Sequence, residues 1–291
     1  MNIKFPKISN IKKLAVGTAA AIGLSTLGFG VLTQSAQAAG IDKTITVPTT
    51  YSSTVSNVTK VTIPDGYVKA NYQIKIMGTA KASENEVTAE KAAELGAQDL
   101  WRIFNSDLSN KTIEMSYAAV NEHHPRAEWL GVIKVDENLF YLFSIDALTG
   151  ELRNTGIERY LPGKVDTGMD MALMKNPGKY LNLAKQTAEK YQLVTGKIAS
   201  VEYASQGYCI NHEGTGKNAQ IAILVTSENG EEAQLEFSKV NQEFLNVSYD
   251  RAMKDFHEIS KQMEKKAMEQ AQKRDVISQD SELKLVVDEE K

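Results

Sequence analysis

Cysteine is nearly absent from this chain, which contains one among 291 residues, Cys209. A single thiol cannot form an intramolecular disulfide, so the fold must depend on an ordinary hydrophobic core, which the 42% hydrophobic content can supply. Cys209 also lies far from the N-terminus, which excludes a lipid anchor at that position. We therefore predict a small side chain that is buried or half-buried.

Basic residues become scarce once the first 38 residues are set aside. Those residues hold four lysines and no acid, which leaves 29 basic against 37 acidic groups and a formal charge near −8. Nucleic acids and anionic membrane surfaces bind proteins through basic patches, so both are disfavoured as partners of the remaining chain.

Sequence motifs with a known catalytic mechanism are missing as well. The chain has no Gly-x-Ser-x-Gly, no His-Glu-x-x-His and no glycine loop of the phosphate-binding kind. Acidic pairs such as Glu231-Glu232 lie at predicted turns, where we interpret them as solvated. We predict a protein that is not an enzyme and that uses no cofactor.

One histidine cluster could hold a metal ion: Glu122-His123-His124, with Glu128 nearby. A zinc site needs three or four ligands converging on one point, whereas adjacent residues of a strand point to opposite faces. Pro125 favours a loop in any case. We therefore predict no metal site in this cluster.

Cys209 and His212 form a second candidate pair, as a thiol nucleophile and its base. Gly207, Gly214 and Gly216 predict a flexible loop around them, and no third group that would orient the histidine is evident. We predict that this pair is not catalytic.

The N-terminus has the pattern of an export signal. Four lysines precede an uncharged run from Leu14 to Leu32, and Ala36-Gln37-Ala38 gives the small-x-small pattern that precedes a cleavage site. We predict a signal peptide over residues 1–38, with cleavage between Ala38 and Ala39. A retained membrane anchor is the alternative, because the uncharged run is long enough to cross a bilayer. Either way the chain from residue 39 is expected outside the cytoplasm, secreted or in the cell envelope.

Hydrophobic periodicity divides the rest of the chain into five parts. We predict a β-rich leader over 39–85, a helix-and-sheet unit over 86–160, a linker over 161–178, a second unit over 179–249, and a C-terminal helix with a disordered tail over 250–291. In the first unit Thr88 suits a helix N-cap, with Glu90 in the first turn. Thr149-Gly150 and Asn229-Gly230 predict tight turns between strands.

The two units resemble each other in sequence. Residues 110–118 match residues 196–204 at an offset of 86, residues 132–138 match 223–229 at 91, and residues 145–148 match 237–240 at 92. The offset changes only in loops, as expected after an old duplication. We therefore predict an α+β protein of two tandem units, each a helix packed on an antiparallel sheet, followed by a C-terminal helix.

The end of the first unit carries a family resemblance. An apolar strand from Tyr141 leads into Asp146-Ala147 and then Thr149-Gly150-Glu151, an ending that resembles the closing strand of PepSY domains. The second unit has Asn241-Gln242-Glu243 in place of Thr-Gly-Glu. The resemblance implies a cystatin-like fold for each unit. It also implies a role in inhibiting or controlling peptidases, since PepSY domains occur in propeptides of secreted proteases and in envelope and spore-germination proteins.

These observations predict an exported, non-catalytic protein that binds another extracytoplasmic protein, with a peptidase as the partner that the resemblance implies. Exposed edge strands are the expected binding element. An envelope or spore-surface structural protein that binds wall polymer is the alternative. An enzyme with a pocket between helix and sheet is a third possibility, and a partner helix on the C-terminal helix is a further one.

Overall fold

The structure is a computed structural model that describes residues 43–46, 63–121, 125–211, 214 and 216–288, with side chains described between 63 and 269. The first half contains β1 (Lys43–Thr46), β2 (Gln73–Met77), α1 (Ala89–Phe104), β3 (Thr112–Ala118), β4 (Glu128–Asp136), β5 (Leu139–Asp146), β6 (Leu152–Arg159) and β7 (Leu161–Pro162). The second half contains α2 (Met171–Lys175), α3 (Gly178–Tyr191), β8 (Ile198–Ile210), β9 (Gly216–Ser227), β10 (Glu232–Ser238), β11 (Phe244–Ser248) and α4 (Asp250–Asp288).

All of these strands belong to one sheet. Ten of them follow one another in the order β1-β2-β3-β4-β5-β6-β11-β10-β9-β7, and β8 pairs with β9 off this path. Every pairing is antiparallel except that of β2 with β3, which is parallel. The predicted α+β class with a largely antiparallel sheet is confirmed, and the leader strand β2 joins that sheet.

Two helices cover one face of the sheet, because each has an apolar stripe at helical spacing. Helix α1 packs on the sheet of the first half in a cluster that includes Ala92, Ala93, Leu100, Ile113, Met115, Ile133 and Phe143. Helix α3 packs on the sheet of the second half in a cluster that includes Tyr180, Ala184, Ala188, Ile221, Ile223, Leu235 and Phe237. We call α1 with β3–β6 the first segment and α3 with β8–β11 the second segment.

The start of α1 is as predicted. The hydroxyl of Thr88 accepts a hydrogen bond from the backbone N–H of Lys91 at 3.3 Å, and Glu90 lies in the first turn. The helix approaches the sheet closely because Gly96 of α1 and Gly131 of β4 face the ring of Phe143. A Cβ atom on either glycine would overlap that ring, so the pair of glycines sets the spacing between helix and sheet.

The turn after β5 in the first segment and the turn after β10 in the second segment are formed by the same pattern of hydrogen bonds. In the first segment the Asp146 carboxylate accepts from the N–H groups of Leu148 and Thr149, both at 2.9 Å. In the second segment the Ser238 hydroxyl accepts from the N–H groups of Val240 and Asn241, at 3.2 and 3.4 Å. The matching backbone bonds run from Gly150 to Asp146 and from Gln242 to Ser238, each at 2.9 Å.

A left-handed residue occupies the same place in the two turns. Gly150 has a φ of 74°, and Gln242 has a φ of 63°. The second turn therefore keeps the backbone shape of the first although it lacks the glycine that favours this conformation.

The two segments join through their last strands, β6 and β11. Thr155 pairs with Val247, flanked by Asn154 opposite Ser248 and Gly156 opposite Asn246. At the offset of 92 that relates the two turns, Thr155 and Val247 are equivalent positions. The pairing therefore has a local two-fold axis, as in a symmetric dimer whose halves share one chain.

Three parts of the chain differ from the sequence predictions. Strand β8 continues to Ile210, through the stretch predicted as a loop, because its pairing with β9 outweighs the glycine at 207. The predicted linker over 161–178 contains β7 and α2. Helix α4 continues to Asp288, through most of the tail predicted to be disordered.

The described residues up to Met253 form one compact unit, and the remainder of α4, from Lys254, belongs to a second one. In that second unit, residues 261–269 are exposed, Met263 and Met268 among them. Among the described helices, none is both long enough and apolar enough for a bilayer crossing.

Candidate functional site

Several residues singled out in the sequence lie outside the described part of the chain. These are the predicted cleavage residues Ala36, Ala38 and Ala39, and the candidate ligands Glu122, His123, His124 and His212. Glu128 is described: it is buried in β4, and its carboxylate lies 2.8 Å from the Nε of Arg153 as an ion pair. Among the described residues, no three His, Cys, Asp or Glu side chains are grouped as a metal site.

Cys209 lies within β8 and not in a loop, which corrects the sequence prediction for its surroundings. Its side chain is half-buried, as predicted, and its sulfur accepts a hydrogen bond from the Gln220 amide at 3.7 Å. Burial raises the pKa of the Cys209 thiol to about 12, and the nearby carboxyl of Glu158 adds to this effect. The thiol is therefore protonated at neutral pH, which disfavours it as a nucleophile.

Strand β8 forms a long edge of the sheet. It has 13 residues and, among the described residues, pairs with β9 alone. The register shifts between Ile198 and Ser200 and again between Tyr203 and Ser205. From Ser205 to Ile210 each residue then pairs with one residue of β9 without interruption. We call residues 205–210 the β8 edge segment.

The backbone of this segment offers hydrogen-bonding groups on its outer side. The N–H of Asn211 donates to the carbonyl of Gly216 at 2.9 Å, which makes them a hydrogen-bonded pair. Because such pairs alternate along an antiparallel ladder, Cys209 and Gly207 direct their N–H and C=O groups to β9. The same groups of Tyr208 and Gln206 therefore point away from β9.

The side chains of the β8 edge segment do not protect it from pairing. Natural edge strands usually carry lysine, proline or an inward-pointing charge that blocks the addition of another strand. Residues 205–210 contain no charge and no proline. Tyr208 is 50% exposed and Ile210 is 42% exposed. The segment therefore combines backbone groups that point away from β9 with accessible apolar side chains.

Residues just before α2 form hydrogen bonds that hold this segment in place. The Gln206 side chain accepts from the N–H of Asp170 at 3.1 Å and donates to the Asp170 carbonyl at 2.9 Å. The ammonium group of Lys239 donates to the Gln206 side-chain oxygen at 2.9 Å and to the Gly168 carbonyl at 3.0 Å. These bonds hold the edge in an extended shape, which lowers the entropy that binding must remove.

A small polar hollow lies next to the edge segment. Strand β7 pairs with the start of β9 and so brings the end of β6 close to the β8–β9 hairpin. The hollow measures about 30 Å³, and it is lined by Leu142, Gly156, Ile157, Glu158, Tyr208, Cys209, Gln220, Glu236 and Asn246. Pockets for organic ligands typically measure about 300 Å³ or more, so this one suits a water molecule or a single ion.

Two carboxyl groups that line the hollow have raised pKa values, because burial disfavours their charged form. Burial raises the pKa of Glu236 to about 7, opposed by a hydrogen bond with Gln234. Burial also raises the pKa of Glu158, opposed by the hydrogen bond that the Tyr160 hydroxyl donates to it at 2.8 Å. No lysine, arginine or histidine is among the lining residues.

Glu158 and Glu236 were not among the candidate residues predicted from the sequence. The alternation of Ala233, Leu235 and Phe237 with Glu236 indicates that this acid lies on the opposite face of the strand, but it does not indicate that this part of the face is covered. Comparison of the chain with family models, with curated proteins and with solved structures gives no match.

Proposed function

We propose that this is an exported, non-catalytic protein that binds an extracytoplasmic peptidase and inhibits or controls it. The observation that supports this proposal is the β8 edge segment, which is regular, uncharged and exposed. An extended segment of the partner would add to it as a further strand, with hydrogen bonds to the outward N–H and C=O groups of Gln206 and Tyr208. The apolar side chains of Tyr208 and Ile210 would then contact alternate residues of the partner.

We further infer that the two segments are copies of one PepSY-like, cystatin-like unit. The matching hydrogen bonds of the turns after Asp146 and Ser238 support this inference. So does the pairing of equivalent positions between β6 and β11. The choice of a peptidase as the partner depends on the resemblance of residues 141–152 to PepSY domains.

A non-catalytic role is consistent with the chemistry of the described residues. The Cys209 thiol has a raised pKa, and the polar hollow is too small for an organic substrate. The side of the sheet that carries α1 and α3 is filled by their apolar side chains.

A capture experiment tests the proposal. The purified chain is immobilised and exposed to the secreted and envelope fractions of the source organism, and bound proteins are identified by mass spectrometry. We expect a peptidase, retained in a fixed ratio to the bait, whose activity falls when the bait is added in solution. Retention of wall polymer without a peptidase would contradict the proposal and favour a structural role in the envelope.

A further inference from the structure

The local two-fold axis between β6 and β11 relates two rows of polar side chains. The first row is Ser144, Asn154 and Ser248, which lie opposite one another on β5, β6 and β11. At the offset of 92, the second row is Glu236, Asn246 and Gly156, on β10, β11 and β6. Each row therefore has an asparagine at its centre, flanked by two neighbours in the sheet.

The asparagine of the first row is fully partnered. The amide nitrogen of Asn154 donates to the Ser144 hydroxyl at 3.0 Å, and the Ser248 hydroxyl donates to its amide oxygen at 2.7 Å. The row is thus a continuous chain of hydrogen bonds across three strands, in which each side chain has a partner.

The second row contains no serine. Gly156 lies at the position that corresponds to Ser248, and Glu236 lies at the position that corresponds to Ser144. The Asn246 Oδ1 is buried without a hydrogen-bond partner, in a residue that is 7% exposed. Glu236 beside it is 8% exposed. An unpartnered buried oxygen costs free energy unless an electropositive group approaches it.

Gly156, Glu236 and Asn246 all line the polar hollow. A Cβ atom on Gly156 would lie 2.6 Å from the Asn246 Oδ1, so the lack of a side chain at 156 allows this oxygen to lie there. Glu158 lines the same hollow from β6. The hollow therefore gathers two carboxyl groups and one amide oxygen around a volume of one small ion, without a basic side chain in its lining.

We propose that the polar hollow binds a hard divalent cation of the Ca²⁺ class through the oxygens of Glu236, Glu158 and Asn246. Hard cations take carboxylate and amide oxygens, and water supplies the coordination positions that the protein leaves open. No histidine lines the hollow, and among the described residues no three His, Cys, Asp or Glu side chains are grouped as ligands for a zinc-type ion. The site is independent of the proposed peptidase binding, because it needs no partner protein.

Titration of the full-length protein with CaCl₂ tests this proposal. At about pH 8 we expect saturable binding in the millimolar range by calorimetry and a rise of Tm with added calcium. Terbium is the second probe, since the nearby Tyr160 and Tyr208 would sensitise the luminescence of an ion in the hollow.

Isosteric variants assign the signal to the hollow. Glu236→Gln and Glu158→Gln should each weaken calcium binding by at least about tenfold, because each removes one of two anionic ligands. Glu228→Gln, at an exposed hairpin carboxylate, should bind as the parent protein does. Two results would overturn the proposal: no calcium-dependent change in the parent protein, which would leave the hollow to water, or unchanged binding in folded Glu236→Gln and Glu158→Gln.

Discussion

Thr155 and Val247 lie opposite each other between β6 and β11, and they are 92 positions apart, the same offset as between the turns after Asp146 and Ser238. A sheet that continues from one segment into the next through equivalent strands has no free edge at the junction. Among the described strands, the edges that remain are those of β1, β7 and β8. Strand β1 has four residues and β7 has two, whereas β8 has 13, which directs the search for a partner to β8.

Gly156 is predicted to be sensitive to substitution, because it lies beside this axis. In Gly156→Ala the new Cβ would lie 2.6 Å from the Asn246 Oδ1 and 2.7 Å from the Leu245 carbonyl oxygen. We expect the free energy of unfolding in urea to fall by about 1–3 kcal/mol. Gly178→Ala is the control: its Cβ would meet nothing closer than 3.5 Å, so stability should be unchanged or slightly raised.

Tyr249 is predicted to stabilise the contact between the two segments. Its hydroxyl donates to the Asp99 carboxylate at 2.6 Å and accepts from the Arg102 guanidinium at 2.9 Å. Arg102 also donates to the carbonyl of Tyr191 at the end of α3. Tyr249→Phe should lower the free energy of unfolding by about 1–3 kcal/mol, since Asp99 is buried and loses a donor.

The matched control for this change is Tyr208→Phe, at a side chain that is 50% exposed. We expect its unfolding curve to coincide with that of the parent protein. A Tyr249→Phe variant as stable as this control would show that the network does not contribute to the stability of the folded chain.

The raised pKa of Glu236 predicts a pH dependence of stability in the absence of added cation. Burial moves this pKa from the ordinary 4.5 to about 7, so in that window the folded protein holds a proton that the unfolded chain has released. The contribution of Glu236 to the free energy of unfolding is therefore largest below pH 4.5. It falls as the pH rises toward 7, by up to about 3 kcal/mol.

Comparison with Glu236→Gln isolates this effect, because glutamine does not titrate. The difference in unfolding free energy between variant and parent should grow in favour of the variant as the pH rises from about 5 to about 8. Parallel stability curves for the two proteins across this range would mean that Glu236 titrates normally.

Cys209 is predicted to react slowly with thiol reagents. A pKa of about 12 in place of 9.0 reduces the thiolate fraction at neutral pH by roughly a thousandfold, and burial limits access further. The rate of modification by iodoacetamide should therefore be far below that of a cysteine peptide and should approach it in urea. Modification of the folded protein at the peptide's rate would contradict the placement of this thiol.

Local features of the fold could be predicted from the sequence, and long-range ones could not. Thr88 predicts a helix cap and Gly150 predicts a turn, because both depend only on near neighbours in the chain. The pairing of β6 with β11 depends on which edges meet in space, for which neither strand carries a local signal. Glycine at 207 indicated a loop, but eleven paired positions along β8 and β9 kept the chain extended.

The candidate site could be predicted only in part, because it also depends on which strands meet in space. An exposed edge strand was expected from small antiparallel sheets, although not which strand would be long and unprotected. The environment of Glu236 depends on Gly156, which is 80 positions earlier in the chain and lies near it only through the junction of the two segments.

The variant Tyr208→Pro tests whether a partner adds to the β8 edge segment as a strand. The N–H of Tyr208 points away from β9, so proline there removes a hydrogen bond to the partner and none from the sheet. Tyr208→Thr, which also loses the ring but keeps the N–H, is the matched control. Inhibition of the captured peptidase is measured with both variants after their folding is verified.

We predict that Tyr208→Pro weakens inhibition by at least about tenfold relative to Tyr208→Thr. Equal inhibition by the two folded variants would contradict strand addition at this edge.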